Sequence, residues 1–199
     1  IASQDLDLRG GGSIIGEEQS GFIREIGTEL YHQMLETEIN IQKSKINKEI
    51  LNKSSFHPII KIPEEIFIPD KYINEVDLRL SIYKRISNIN TKKEIDEIKI
   101  ELIDRFGNLP IQLNNLFKIV KIKLLCLDLN IEKFEFSRKG ILIGFYKNKP
   151  KNPDKLLSLS LSKKNIFLLR PDQKLFYDFG GKIINNKFEL SKNIIKLLK

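Results

Sequence analysis

Tryptophan is absent from the 199 residues, and cysteine and methionine occur once each. A lone Cys126 excludes an intrachain disulfide framework and fits a reducing cytoplasm. The two histidines, His32 and His57, stand apart in the sequence. No Cys/His group therefore has metal-ligand spacing, and no Ser-His-Asp or Cys-His set is suggested. No apolar run approaches the ~20 residues of a membrane span, so no membrane partner is expected. No internal repeat and no signal peptide are visible. A chain that opens on Ile1 is expected to be part of a longer protein.

What is present is the composition of a soluble globular chain, 41% hydrophobic and 30% charged. Its length suits one core of ordinary size, or a small domain with an appended piece. The net charge of +8 is uneven. Residues 138–199 carry 15 Lys/Arg against 4 Asp/Glu, a net of +11, whereas residues 1–137 are net −3. Such a basic half suggests an acidic partner or nucleic acid. The chain is also rich in Ile, Lys and Asn, as AT-rich coding would produce, and its lysines have few arginines or aromatics among them. Solvated surface lysine therefore stands beside the nucleic-acid reading.

Five of the 11 glycines fall between Asp5 and Gly21. Leu6 and Leu8 alternate with Asp5, Asp7 and Arg9 as in a short half-buried strand. Gly10-Gly11-Gly12 then stops any regular element, since each glycine tolerates positive φ and costs entropy to fix. Gly11 to Gly16 has the spacing of a phosphate-binding loop. Such a loop needs Lys and then Ser or Thr next, to hold phosphates and Mg²⁺. Glu17 and Glu18 stand there and would repel a triphosphate, so no nucleotide site is expected. Arg9 offers a planar fork of donors and Gln19 both a donor and an acceptor. A Gly-rich bend could present them to a phosphate or carboxylate; a turn arginine and a helix-start glutamine in water are the plain alternative.

From Phe22 the stripe Ile23, Ile26, Leu30, Met34 predicts a helix, with Ser20 able to cap it. Residues 41–53 are polar and Lys-rich and read as a linker. A domain is expected to begin near Ser54. Ile59 to Ile62 and Ile66 to Ile68 read as one or two short strands broken at Pro63 and Pro69. Val76, Leu80, Tyr83 and Ile86 form the next stripe. Thr91 and Glu94 make a capping box, followed by Ile95, Ile98, Leu102 and Phe106. Gly107 is placed to end that helix in the left-handed conformation, and Pro110 to start another with Leu113, Leu116, Phe117, Val120, Leu124 and Leu127 inward. The carboxylates Glu97, Glu101 and Asp104 lie beside Lys99 and Arg105, as on a salt-bridged solvated face rather than in a paired-acid site. Past Asn130 the period becomes two. Phe134 and Phe136, then Ile141, Ile143 and Phe145, flank a hairpin turn at Ser137-Arg138-Lys139-Gly140. A short helix with Leu156, Leu157 and Leu161, strands at 166–169 and 175–177, and a final helix over about 187–198 complete the chain.

Three segments carry a resemblance. Residues 5–21 resemble the D-L-E-x-R-G-A-G-x-x-L-G-x-x-Q-S-G segment of the bacterial transcription-repair coupling factor (Mfd) family, departing at Asp7, Gly11 and Ile15. Ile68-Pro69-Asp70 and Arg79-Leu80-Ser81-Ile82-Tyr83-Lys84-Arg85-Ile86 are similar to its I-P-D and R-L-x-x-Y-K-R-I segments. Glu101-Leu102-Ile103-Asp104-Arg105-Phe106-Gly107-Asn108-Leu109-Pro110 looks like its E-L-x-D-R-F-G-x-L-P block. RecG helicases share a looser version of the first segment and lack the later domain. The resemblance implies an α+β chain. Residues 1–40 would be the end of a RecA-like motor lobe with translocation motif and hook helix, 41–53 a linker, and 54–199 a C-terminal domain of three central helices and a small, mostly antiparallel sheet. In the motif, Arg9 and Gln19, set among Gly10, Gly12 and Gly16, would couple lobe motion to movement on duplex DNA. The whole protein would use ATP and Mg²⁺, displace stalled RNA polymerase and recruit the excision-repair protein UvrA. The C-terminal domain would pack on its UvrB-like module and hide the UvrA-binding surface. This chain has no complete active site, so no ATP hydrolysis is expected of it alone. A stand-alone nucleic-acid-binding module and a purely structural interaction domain are the competing readings.

Overall fold

A computed structural model describes residues 56–199. The expected motor-lobe end, translocation motif, hook helix and linker lie outside the described residues. Within them the chain is α+β. Strand β1 (Ile59–Lys61) is followed by helices α1 (Val76–Ser87), α2 (Lys92–Phe106) and α3 (Ile111–Asp128). Then come β2 (Ile131–Phe136), β3 (Gly140–Phe145), a single 3₁₀ turn at Tyr146–Asn148, α4 (Pro153–Ser162), β4 (Phe167–Leu169), β5 (Leu175–Asp178) and α5 (Lys187–Leu197).

The sheet runs β1-β2-β3-β5-β4, with β1 parallel to β2 and the other three pairings antiparallel. Parallel neighbours need a long crossover, which here is the three-helix run α1–α3. Register sorts the side chains by the period-two rule. Ile60, Phe134, Ile143 and Leu175 stand in one row and are all buried. Lys61, Glu135, Leu142, Phe176 and Leu168 form the adjacent row on the opposite face. Helix α3 crosses the inner side, packing on β2 and α5. Its burial is nearly all round, with Leu113, Leu116, Phe117, Ile119, Val120, Ile122 and Cys126 in the core. The Cys126 thiol is pushed up by burial, which leaves it an inert packing group.

The capping signals act where the pattern puts them. Thr91 accepts from the Glu94 amide at 3.3 Å, and the Glu94 carboxylate accepts from the Asn90 amide at 2.9 Å. Gly107 ends α2 with φ 80° and ψ −161°. That is positive φ as expected, yet outside the left-handed helical well, in a region only glycine occupies at little cost. Pro110 is the N-cap of α3 rather than its first helical residue.

Two expectations are corrected. The buried face of α1 is Arg79, Ile82, Tyr83 and Ile86, while Val76 and Leu80 are exposed. The stripe turns because Arg79 swings in to donate to the carbonyls of Ile73 (2.6 Å) and Asn74 (2.9 Å). Residues 66–68 are not a strand, although Ile66 and Ile68 are buried. The Ile68 amide is served from the side instead, donating to the Tyr83 hydroxyl at 2.6 Å. In α4 the buried leucines are Leu156 and Leu159, with Leu157 and Leu161 exposed.

Candidate docking groove

Arg85 sits in the last turn of α1 and Glu101 in the middle of α2. Core contacts of Ile82, Tyr83 and Ile86 on one helix and Ile95, Ile98 and Leu102 on the other fix both helices. That leaves an open groove of about 520 Å³ between them, lined by Arg85, Asn88, Ile89, Glu94, Glu97, Ile98 and Glu101. Its floor is apolar and its walls are charged.

The guanidinium of Arg85 meets the Glu101 carboxylate fork to fork, with Nη1 donating to Oε1 at 2.8 Å and Nη2 to Oε2. Arg105, one turn on, donates to the same Oε1 at 3.0 Å. The hydrogen bonds from Arg85 lead in holding the Glu101 carboxyl down to about 2. Glu94 is lowered as well, first by the Asn90 amide and then by the Thr91 hydroxyl. Glu97 pairs with Lys93 at 3.5 Å. Glu94 and Glu101 are thus anionic and oriented, and neither is poised to give or take a proton near neutrality. A preset bidentate pair beside unpaired donor and acceptor capacity suits recognition of a charged protein surface. Ile100 and Ile103 are exposed on α2, and Ile111, the first residue of α3, is 75% exposed.

The reading of Glu97, Glu101, Asp104, Lys99 and Arg105 as a salt-bridged face holds for Glu97, Glu101 and Arg105, whereas Lys99 donates to Asn114 Oδ1 at 3.3 Å. What it lacked is Arg85, which reaches Glu101 from the neighbouring helix. Local spacing could not link them, yet both lie in quoted motif blocks, Arg85 in R-L-x-x-Y-K-R-I and Glu101 in E-L-x-D-R-F-G. The other site residues, Arg9, Gln19, Gly10, Gly12 and Gly16, lie outside the described residues. Among the described residues no group of three or more His, Cys, Asp or Glu could hold a metal ion, and no helix is long and apolar enough to cross a membrane.

Residues 62–156 match the family model of the TRCF domain. The transcription-repair-coupling factor of Rickettsia conorii is 48% identical over 177 residues, covering 89% of this chain and 15% of the relative. That of Haemophilus influenzae is 34% identical over 199 residues, 100% of this chain and 17% of the relative. The chain thus spans less than a fifth of the length of these curated relatives. In fold it matches a solved C-terminal domain of transcription-repair coupling factor, with a TM-score of 0.56 at 22% identity, over 72% of this chain and 92% of the other.

Proposed function

The chain belongs to the transcription-repair coupling factor family, and we propose that residues 54–199 are its regulatory docking domain. In the whole protein this domain closes over the UvrA-binding surface of the UvrB-like module. The observation that carries the reading is the groove between α1 and α2, where the Arg85–Glu101–Arg105 cluster is ordered before any partner arrives. A cluster already ordered loses little side-chain entropy on docking. The exposed isoleucines of α2 and α3 add an apolar margin. Residues 1–40 supply the end of the motor, with Arg9 and Gln19 coupling ATP-driven motion to duplex DNA. ATP, Mg²⁺ and RNA polymerase engage other parts of the whole protein.

Tethering makes a weak interface sufficient, since a short flexible linker gives an effective concentration of order millimolar. The same weakness lets modest differential binding elsewhere open it. The test is UvrA binding by the whole coupling factor in three forms: intact, lacking residues 54–199, and carrying Glu101→Lys. Both altered forms should bind UvrA at least roughly tenfold more tightly. Unchanged or weaker binding after the deletion means the domain is not a mask. Tighter binding after deletion but not after Glu101→Lys moves the docking surface away from the groove. In the intact protein, rising salt should loosen the closed state, because exposed charges are screened beyond ~10 Å at 0.1 M.

A further inference from the structure

The +11 half of the chain is not spread evenly over the fold. Five of its 13 lysines lie where the end of α3, the start of β2, the end of β3, the start of α4 and the end of α5 meet. Asp128, the last residue of α3, accepts from Lys151 at 2.8 Å and from Lys199 at 3.1 Å. Asn152 donates to the carbonyls of Leu198 (3.4 Å) and Lys199 (2.8 Å), pinning α5 beside the start of α4. Asn130 accepts the Tyr146 amide on its carbonyl at 2.8 Å and donates its side chain to the Lys149 carbonyl at 3.4 Å. These bonds bring Lys147, Lys149, Lys151, Lys196 and Lys199, all exposed, to one end of the domain, on segments whose acidic side chains are Asp128, Glu132 and Asp154, an excess of lysine.

The backbone holds this arrangement at some cost. Four described non-glycine residues have positive φ, and three of them, Asn130, Lys147 and Asn148, are here. Such conformations are unfavourable for residues other than glycine and persist where the surroundings impose them. Lys147 points back over the Tyr146 ring, 5.2 Å from its centroid, and Phe56 stacks on Tyr146 at 4.6 Å and 15°. Asp128 is already shared by two lysines, and Lys147, Lys149 and Lys196 have no carboxylate partner among the described residues.

We infer that this end is a sequence-independent binding surface for the phosphate backbone of nucleic acid. An acidic protein partner fits less well. Protein interfaces are anchored by buried aromatic or aliphatic side chains. On the segments forming this end, only Leu197 is a large exposed apolar residue, at 39%. Tyr146 cannot serve as a base platform, because Phe56 and Lys147 already contact its ring. What is left is a set of exposed cations with no pocket for a base, which reads charge and not sequence. The surface shares no residue with the groove between α1 and α2, so it stands or falls apart from the docking reading.

The test is fluorescence polarisation of the 199-residue chain with a labelled random-sequence DNA duplex across a salt series. Binding should weaken steeply between ~50 and ~200 mM salt. Lys147→Ala/Lys149→Ala/Lys196→Ala should lower the slope of log K against log salt by about 3, one per lost phosphate contact, whatever the DNA sequence. Lys163→Ala/Lys164→Ala/Lys182→Ala removes the same charge from exposed positions after α4 and after β5, off the segments that form this end, and should leave the slope unchanged. Equal loss in both triple variants would reduce the effect to net charge and overturn the site. So would absence of salt-dependent binding, or polyglutamate competing as well as DNA of equal charge. Thermal melts that coincide with the parent chain establish that the variants are folded.

Discussion

Replacing Gly140 by alanine should destabilise the domain by at least ~3 kcal/mol, more than the usual cost of one added methyl group in a packed site. Gly140 opens β3 and lies opposite Asp178 of β5. A Cβ there would run into the Tyr177 carbonyl oxygen and come within 2.6 Å of the Phe176 ring. The ring could turn away, but the carbonyl belongs to the ladder. Relief means separating β3 from β5, and with it the pairs Ile141–Tyr177, Leu142–Phe176 and Ile143–Leu175. The hairpin end of the strand has no slack either. Gly140 donates its amide to Ser137 Oγ at 3.2 Å and accepts on its carbonyl from the Ser137 amide at 2.8 Å.

Gly144, two register steps along β3 on the same face, is the internal control. Its added Cβ would meet Lys133 Cβ at 3.3 Å and the Lys174 stem at 4.0 Å, a flexible chain that can give way. Gly144→Ala should cost under ~1.5 kcal/mol. Urea unfolding followed by circular dichroism compares them, with the gap of roughly 2 kcal/mol appearing as a lower midpoint for Gly140→Ala at equal slope. Coincident transitions for the two variants would show that the Tyr177 carbonyl does not dictate glycine.

Gly140 also marks the limit of what the sequence discloses. The turn Ser137-Arg138-Lys139-Gly140 is legible from its composition and from the alternation on either side. The reason that its last residue must be glycine lies in β5, more than thirty residues on, and no local pattern contains it. The same division runs through the fold. The capping box, the α2 stripe and the helix stop at Gly107 rest on neighbours within one or two turns and are read directly. The parallel β1–β2 pair and the Arg85–Glu101 bond depend on partners in other elements, and the turned face of α1 depends on the loop before it, whose carbonyls take up Arg79. Residues 66–68 illustrate the confusion of burial with strand. Alternating isoleucines record two buried side chains, but the Ile68 amide finds Tyr83 instead of a neighbouring strand. The docking groove was half legible, its acids visible as a charged helix face and its arginine only as part of a resemblance.

Lys123 is the residue on which helical periodicity is least informative, because α3 is buried nearly all round and a lysine among its isoleucines reads as a surface position. Its side chain is in fact buried, with Nζ donating to the Ser87 carbonyl at 2.8 Å. Ser87 ends α1, so the ammonium meets the negative end of that helix and one of its unpaired carbonyls. One carbonyl does not replace water, and burial brings the amine down to about 8 from an ordinary value near 10.5. The sign follows from linkage. Between those values the unfolded chain binds the proton more tightly than the folded one, so stability rises with pH across that window. Below about 8 the lysine is charged in both states and the folded state carries the full desolvation cost. A displacement of that size corresponds to roughly 3 kcal/mol when fully expressed. Cys126 and Tyr83 limit the rise. The Cys126 thiol, pushed up by burial, ionises first in the unfolded chain from its ordinary value of 9.0, which offsets the lysine from there on. Burial pushes the Tyr83 hydroxyl up to about 12, so above about 10 stability falls. Urea midpoints should therefore climb from neutral pH to about 9, level off and decline above about 10. Lys123→Met keeps the length of the side chain and removes the titrating group. It should remove the rise between about 8 and 9 and bring the decline forward to about 9. A parent profile that is level over that interval, or a methionine variant that climbs as the parent does, would show that the buried amine is not what makes this domain sensitive to pH.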